Sequence, residues 1–209
     1  MNKRQIAEFL LQSKAIKIEP ASPFSWASGW KSPIYCDNRK TLSFPDTRSY
    51  IRDQYVEAIR SNFDGADLIA GVATGAIAQG ALVADQMNLP FVYVRSSAKK
   101  HGMENLIEGF YEKGQQVVVI EDLISTGGSS LKAVEALREA GIKVLGMVAT
   151  FTYGFDLAEK NFADHQVDIV TLSDYESMLQ QALDSGYIQP DQVEMLQQWR
   201  MDPANWTGK

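Results

Sequence analysis

Hydrophobic positions along the chain follow three rhythms. Ile6, Phe9 and Leu10 recur at helical spacing near the start, and Tyr50, Ile51, Tyr55, Val56 and Ile59 do so after Pro45-Asp46. Both patterns predict amphipathic helices. Between them, from Phe24 to Cys36, apolar residues alternate with Ser, Gly and Pro, which predicts short strands and turns. From Asp67 onward the pattern becomes short continuous apolar runs separated by helical stretches: Leu68 to Val72, Phe91 to Val94, Val117 to Ile120, Val144 to Phe151 and Val167 to Leu172. Leu106 to Tyr111 reads as a further strand. Continuous apolar strands with helices between them predict a parallel sheet covered on both faces.

The fold class expected is therefore α/β, a doubly wound parallel sheet in a single domain. Residues 1–44 would form a small N-terminal hood of helix and strands, 45–173 the sheet core, and 174–209 a C-terminal helical extension. In that extension Pro190-Asp191 precede Val193, Leu196 and Trp199, the pattern of a capped helix packed on the domain edge. The tail carries no chemical motif. Ligands of such sheets bind outside the carboxyl ends of the strands, so the loops after Val72, Val94 and Ile120 are the places to look.

Composition narrows the chemistry. With 209 residues, 45% of them hydrophobic, the chain can bury a core without covalent staples. The single cysteine, Cys36, excludes an intrachain disulfide, and with two histidines it leaves little material for a zinc site. A formal net charge of −6 argues against general nucleic-acid binding, which draws on a basic surface. No apolar run has the length of a membrane span, and the start of the chain lacks a signal-peptide pattern, so the cytoplasm is the expected compartment. A small polyanionic substrate is compatible with this charge because its binding depends on local donors. One local concentration exists: Arg95-Ser96-Ser97-Ala98-Lys99-Lys100-His101 gathers three basic side chains and a histidine after a strand.

The most informative stretch is Val117-Val118-Val119-Ile120-Glu121-Asp122-Leu123-Ile124-Ser125-Thr126-Gly127-Gly128-Ser129-Ser130. A buried strand would end in two acids, turn through hydroxyl and glycine residues and enter a helix. Gly127 and Gly128 let the backbone approach a ligand, and free amides at the helix start, with the Thr126 and Ser129 hydroxyls, suit a phosphate. Glu121 and Asp122 suit sugar hydroxyls instead, directly or through hydrated magnesium. The stretch lacks the Gly-Lys-Ser/Thr ending of a Walker loop and the glycine spacing of a dinucleotide fold. An ordinary strand-to-helix loop with a capping hydroxyl is the plain alternative.

Val117 to Ser130 resembles the motif that binds phosphoribosyl pyrophosphate (PRPP) in the type I phosphoribosyltransferases. The resemblance implies that the turn Leu123, Ile124, Ser125, Thr126, Gly127, Gly128 and Ser129 holds PRPP, its 5′-phosphate on Thr126 to Ser129, with Glu121 and Asp122 on the ribose. Tyr93 to Gly102 is similar to the mobile loop of orotate phosphoribosyltransferases. That likeness implies that Arg95, Lys99 and His101 reach the pyrophosphate of a neighbouring site across a homodimer, and that Lys99, His101 and Asp122 are catalytic. Phe24 to Arg39 resembles the same family's segment over the orotate ring, implying orotate contacts at Ile34, Tyr35 and Ser125. Magnesium would be held mainly through PRPP and water, with no direct protein ligand set. The expected partners are orotate and PRPP, with no nucleic acid and no membrane.

The chain departs from some relatives: Ser96 and Ala27 stand where those carry lysines, and Ala73-Thr74-Gly75 lacks another. The implied site is less basic than theirs. Because the PRPP motif is shared by purine-specific and regulatory members, a purine phosphoribosyltransferase and a non-catalytic PRPP sensor are the alternatives. The Arg95, Lys99 and His101 set and the lack of a basic DNA-binding domain oppose the sensor.

Overall fold

The computed structural model describes residues 2–26, 29–96 and 106–207. After α1 (Lys3–Gln12) come the short hood strands β1 (Ile16–Ile18), β2 (Phe24–Ser25), β3 (Lys31–Ser32) and β4 (Ile34–Cys36), then a 3-10 turn over Asn38–Ser43. The remaining elements are α2 (Pro45–Asn62), β5 (Leu68–Val72), α3 (Ile77–Met87), β6 (Phe91–Val94), β7 (Ile107–Glu108), β8 (Gln116–Ile124), α4 (Gly128–Glu139), β9 (Lys143–Thr152), α5 (Asp156–Asp164), β10 (Ile169–Asp174), α6 (Tyr175–Asp184) and α7 (Pro190–Met201). Six strands form one sheet in the order β10-β9-β8-β5-β6-β7.

Strand alternation explains the two-faced core. Ile69, Val118, Ile120 and Val148 pack on one side with residues of α1, α2, α3 and α6. Leu68, Ala70, Val117, Val119 and Met147 pack on the other with α4 and α5. Successive side chains of a strand point to opposite faces, so burial on both requires the uninterrupted apolar runs seen in the sequence. The expected α/β class with helices on both faces is what the structure has.

The sheet is parallel apart from its edge strand: β7 pairs antiparallel to β6 through Tyr93↔Glu108 and Val94↔Ile107. Two expectations need correction. The strand expected over Leu106 to Tyr111 is only Ile107–Glu108, since it has a partner on one side alone and that partner ends at Val94. Nor does the central strand stop at the acids. It continues to Ile124 because β9 runs beside it, pairing Glu121↔Ala149, Leu123↔Phe151 and Ile124↔Thr152.

The hood is two antiparallel pairs, β1 with β4 and β2 with β3. Helix α1 is tied to the far end of the sequence: Ser173 Oγ donates to the Lys3 carbonyl at 2.8 Å, and Lys3 Nζ reaches Asp174 Oδ2 at 2.8 Å. No helix among the described residues is long and apolar enough to cross a membrane.

Candidate functional site

Because Glu121 and Asp122 are adjacent in a strand, they point to opposite faces and have opposite environments. Glu121 is 3% exposed, and its carboxylate accepts from Ser130 Oγ at 2.7 Å and from the Asp122 amide at 2.9 Å. Burial, and then the charge of Asp122, raise its pKa well above the ordinary carboxylate value. Glu121 therefore braces the first turn of α4 against the strand and is not open to a ribose in this structure, in contrast to the expectation. Asp122 is half-exposed and lies over Gly75: a Cβ there would sit 2.0 Å from Asp122 Oδ2. Only glycine leaves room for that carboxylate.

Two side chains from before the sheet fix this end of β8. Asn38 Nδ2 donates to the Asp122 carbonyl at 2.5 Å. The Tyr55 hydroxyl donates to the Glu121 carbonyl at 2.5 Å and, its one proton so used, accepts from Thr150 Oγ1 at 2.6 Å. Burial raises the Tyr55 pKa, so the phenol stays a donor.

Beyond the strand the chain turns through Ser125 and Thr126, both half-buried. Gly127 adopts φ 81°, and a Cβ on it would meet the Phe162 ring at 2.7 Å, so both conformation and space demand glycine. Asn161 Nδ2 holds the Thr126 carbonyl at 2.9 Å. Helix α4 then starts at Gly128 without a side-chain cap, with Gly128 and Ser129 exposed. Its first-turn amides are left for an external acceptor, and the positive end of the helix dipole adds to the attraction for an anion. Ile124 departs from its expected place: its side chain is buried in the core and its carbonyl accepts from the Tyr153 amide at 3.1 Å.

The neighbouring loops complete the rim. Ala73-Thr74-Gly75 follows β5, and the Ala73–Thr74 peptide is cis. Arg95 follows β6; its guanidinium lies 3.4 Å from Glu108 Oε1. Lys99 and His101 lie outside the described residues. Arg39, a basic residue not singled out from the sequence, borders the same cleft as Gly75 and Asp122. Its Nε donates to Asp37 Oδ1 at 2.6 Å, and the charges of Asp37 and then Asp122 hold it protonated.

A cavity of about 360 Å³ opens beside the turn, lined by Ser25, Trp26, Tyr35, Cys36, Leu123, Ser125 and Tyr153. Apart from Leu123 its walls are aromatic or small, the lining of a site for a flat ring. Of the three expected ring contacts, Tyr35 and Ser125 are on these walls. Ile34 is not: its side chain is fully buried and its amide already donates to Ser32 Oγ at 3.1 Å. Leu123, expected to serve PRPP, faces this cavity instead. Burial, then the charges of Asp122 and Asp37, push the Cys36 thiol pKa up, which keeps it neutral. Among the described residues no group of three or more His, Cys, Asp or Glu converges as a metal site.

Sequence reading missed Asn38, Arg39, Tyr55, Gly75, Trp26 and Tyr153. Gly75, in a small-residue loop at a strand's carboxyl end, carried a signal; Tyr55 looked like one more apolar helix position.

Residues 51–184 match the phosphoribosyl transferase domain family. The chain is 61% identical over 207 residues to the orotate phosphoribosyltransferase of Bacteroides fragilis, covering 99% of this chain and 98% of the relative. It is 60% identical over 203 residues to the Bacteroides thetaiotaomicron enzyme of that name, covering 97% and 96%. Among solved structures, the orotate phosphoribosyltransferase of Aeropyrum pernix superimposes with a TM-score of 0.77 at 28% identity, covering 88% of this chain and 99% of that one.

Proposed function

This chain belongs to the orotate phosphoribosyltransferase family, and we infer that it transfers the phosphoribosyl group of PRPP to orotate, releasing pyrophosphate and giving orotidine 5′-monophosphate for pyrimidine synthesis. The observation that carries this reading is one turn with two neighbours. Thr126 to Ser129 present the uncapped start of α4, while Leu123 and Ser125, just before them, wall the aromatic cavity. A sugar phosphate and a flat ring can therefore meet over the Asp122 carboxylate.

Each group has a role in that chemistry. The amides of Gly128 and Ser129 and the hydroxyls of Thr126 and Ser129 hold the 5′-phosphate. Tyr35 packs on the orotate ring and Ser125 donates to its polar edge. Displacement of pyrophosphate leaves positive charge on the ribose and negative charge on the departing oxygen, so fixed charges at those two points accelerate it. Asp122 orients the ribose and offsets its developing positive charge. Arg95, Lys99 and His101 would neutralise the leaving pyrophosphate. Glu121 holds the cradle in place through Ser130.

Magnesium fits this donor set: it takes oxygen ligands and keeps several waters, and Asp122 offers a half-exposed carboxylate while phosphate and water oxygens can fill the remaining positions. When bound, it neutralises charge on the pyrophosphate.

We propose a homodimer, working in the cytoplasm, in which the basic loop of one subunit serves the site of the other. Mixing Asp122→Asn with Lys99→Ala protein under exchange conditions should then restore part of the activity lost in each, and no recovery would mean self-contained subunits. For the reaction itself, pyrophosphate release should be followed with PRPP, magnesium and either orotate, adenine or guanine. Orotate alone should support turnover; release with a purine, or with none of the three, would overturn the assignment.

A further inference from the structure

Helix α7 carries no motif, yet two adjacent residues on it bond to two walls of the ring cavity. Trp199 is fully buried, and its indole N–H donates to the Lys31 carbonyl at 3.1 Å, fastening hood strand β3. Arg200 donates from Nε to the Tyr153 carbonyl at 3.0 Å and from Nη2 to the Gly154 carbonyl at 2.9 Å. The Trp199 ring also lies 5.7 Å from Trp26, on the hood wall, and 5.7 Å from Tyr153, on the sheet wall. The helix is anchored in turn by the Tyr175 hydroxyl, which donates to the Leu196 carbonyl at 2.8 Å.

The hood wall and the Tyr153 wall are far apart in sequence and meet directly only through packing, the Trp26 and Tyr153 rings lying 5.0 Å apart. Trp199 and Arg200 clamp that contact from neighbouring positions on one helix. Arg200 is suited to this because its planar fork presents two separate nitrogens, Nε and Nη2, to the two carbonyls in a fixed geometry, where a lysine offers a single nitrogen on a flexible stem. The approach is close: a Cβ on Gly154, at φ +64°, would sit 2.8 Å from Arg200 Nη2. The phosphate turn, whose entry also receives the Tyr153 amide at the Ile124 carbonyl, has bonds of its own from Ser130, on α4, and Asn161, on α5.

We propose that Trp199 and Arg200 are positioning residues for the acceptor ring: the C-terminal helix sets the width of the base cavity and so the affinity for the ring, while leaving PRPP binding to the cradle. The inference rests on the orotate reading for the identity of the ring, but its logic concerns whichever flat base the cavity takes.

The test is steady-state kinetics on Arg200→Met, Arg200→Lys and Trp199→Phe. Arg200→Met should raise KM for orotate about tenfold, keep KM for PRPP within about twofold, and approach wild-type kcat at saturating orotate. Arg200→Lys, which keeps the charge and a single donor nitrogen, should recover part of the loss. Trp199→Phe keeps an aromatic ring but removes the indole N–H bonded to Lys31 and part of the ring's packing; it should shift KM in the same direction even if Arg200→Met fails to fold. Equal rises in both KM values, or an unchanged KM for orotate in the folded variants, would overturn the proposal. Wild-type protein that turned over adenine and not orotate would refute the substrate assignment but not this role, which would then be read in KM for adenine.

Discussion

The phosphate cradle is one continuous stretch of chain, whereas the ring cavity beside it is assembled from four separate stretches, around Ser25, Tyr35, Leu123 and Tyr153. Local geometry makes the first: a buried strand, a glycine at positive φ and a helix start follow one another, so the amides converge wherever the sheet is placed. Tertiary packing makes the second. Its shape depends on Trp26, Tyr153 and Trp199 meeting at ring distances of 5.0 to 5.7 Å, which no neighbouring residues dictate. The contrast suggests that changes to the cradle should act on rate and PRPP together, while changes to the cavity should act on the base alone.

The sharpest way to break that contrast is Asp122→Asn. It removes the half-exposed carboxylate at the junction and should lower kcat on the order of a hundredfold, the scale for loss of a fixed electrostatic partner of the transition state. Calorimetric titration should also show weaker magnesium-dependent PRPP binding. Gly75→Ala should come next, with at least roughly a tenfold loss of kcat, because its methyl group must displace the Asp122 carboxylate, and misplacing such a group by an ångström is costly. Circular dichroism should show the fold retained. If Gly75→Ala were fully active, the position of Asp122 would not matter to the chemistry.

Tyr35→Ala sharpens the other side. Loss of a stacking ring should raise KM for orotate roughly tenfold, given about 1 to 3 kcal/mol for base stacking, with KM for PRPP unmoved. A matching rise for PRPP would erase the distinction between the two regions.

The smallest effect belongs to Glu121. Its folded-state pKa is raised above the unfolded value, so the stability it contributes is complete below about pH 4.5 and declines as pH rises through the folded pKa. Glu121→Gln keeps the shape and cannot ionise. The Tm difference, variant minus wild type, should therefore grow as pH increases from 4.5 toward neutrality. A difference independent of pH would mean that Glu121 is charged in the native protein.

The same contrast explains what could be read from sequence. The strands of the sheet were legible because both faces are buried, and the cradle because its residues are consecutive. Where the chain pairs with something distant, reading failed. The reach of β8 to Ile124 depends on β9 beside it. Tyr55 was correctly placed on an apolar helix face, yet its hydroxyl bonds a carbonyl 66 residues away, which periodicity does not encode. Trp199 and Arg200 belong with these: their partners, Lys31 and Tyr153, come into reach only after the tail has folded back over the hood.

The most direct measurement of the central claim is a crystal structure of the protein soaked with PRPP and magnesium. The 5′-phosphate should lie within hydrogen-bond distance of the Gly128 and Ser129 amides, with the ribose hydroxyls facing Asp122. A vacant turn, with PRPP bound at another place on the molecule, would contradict the account.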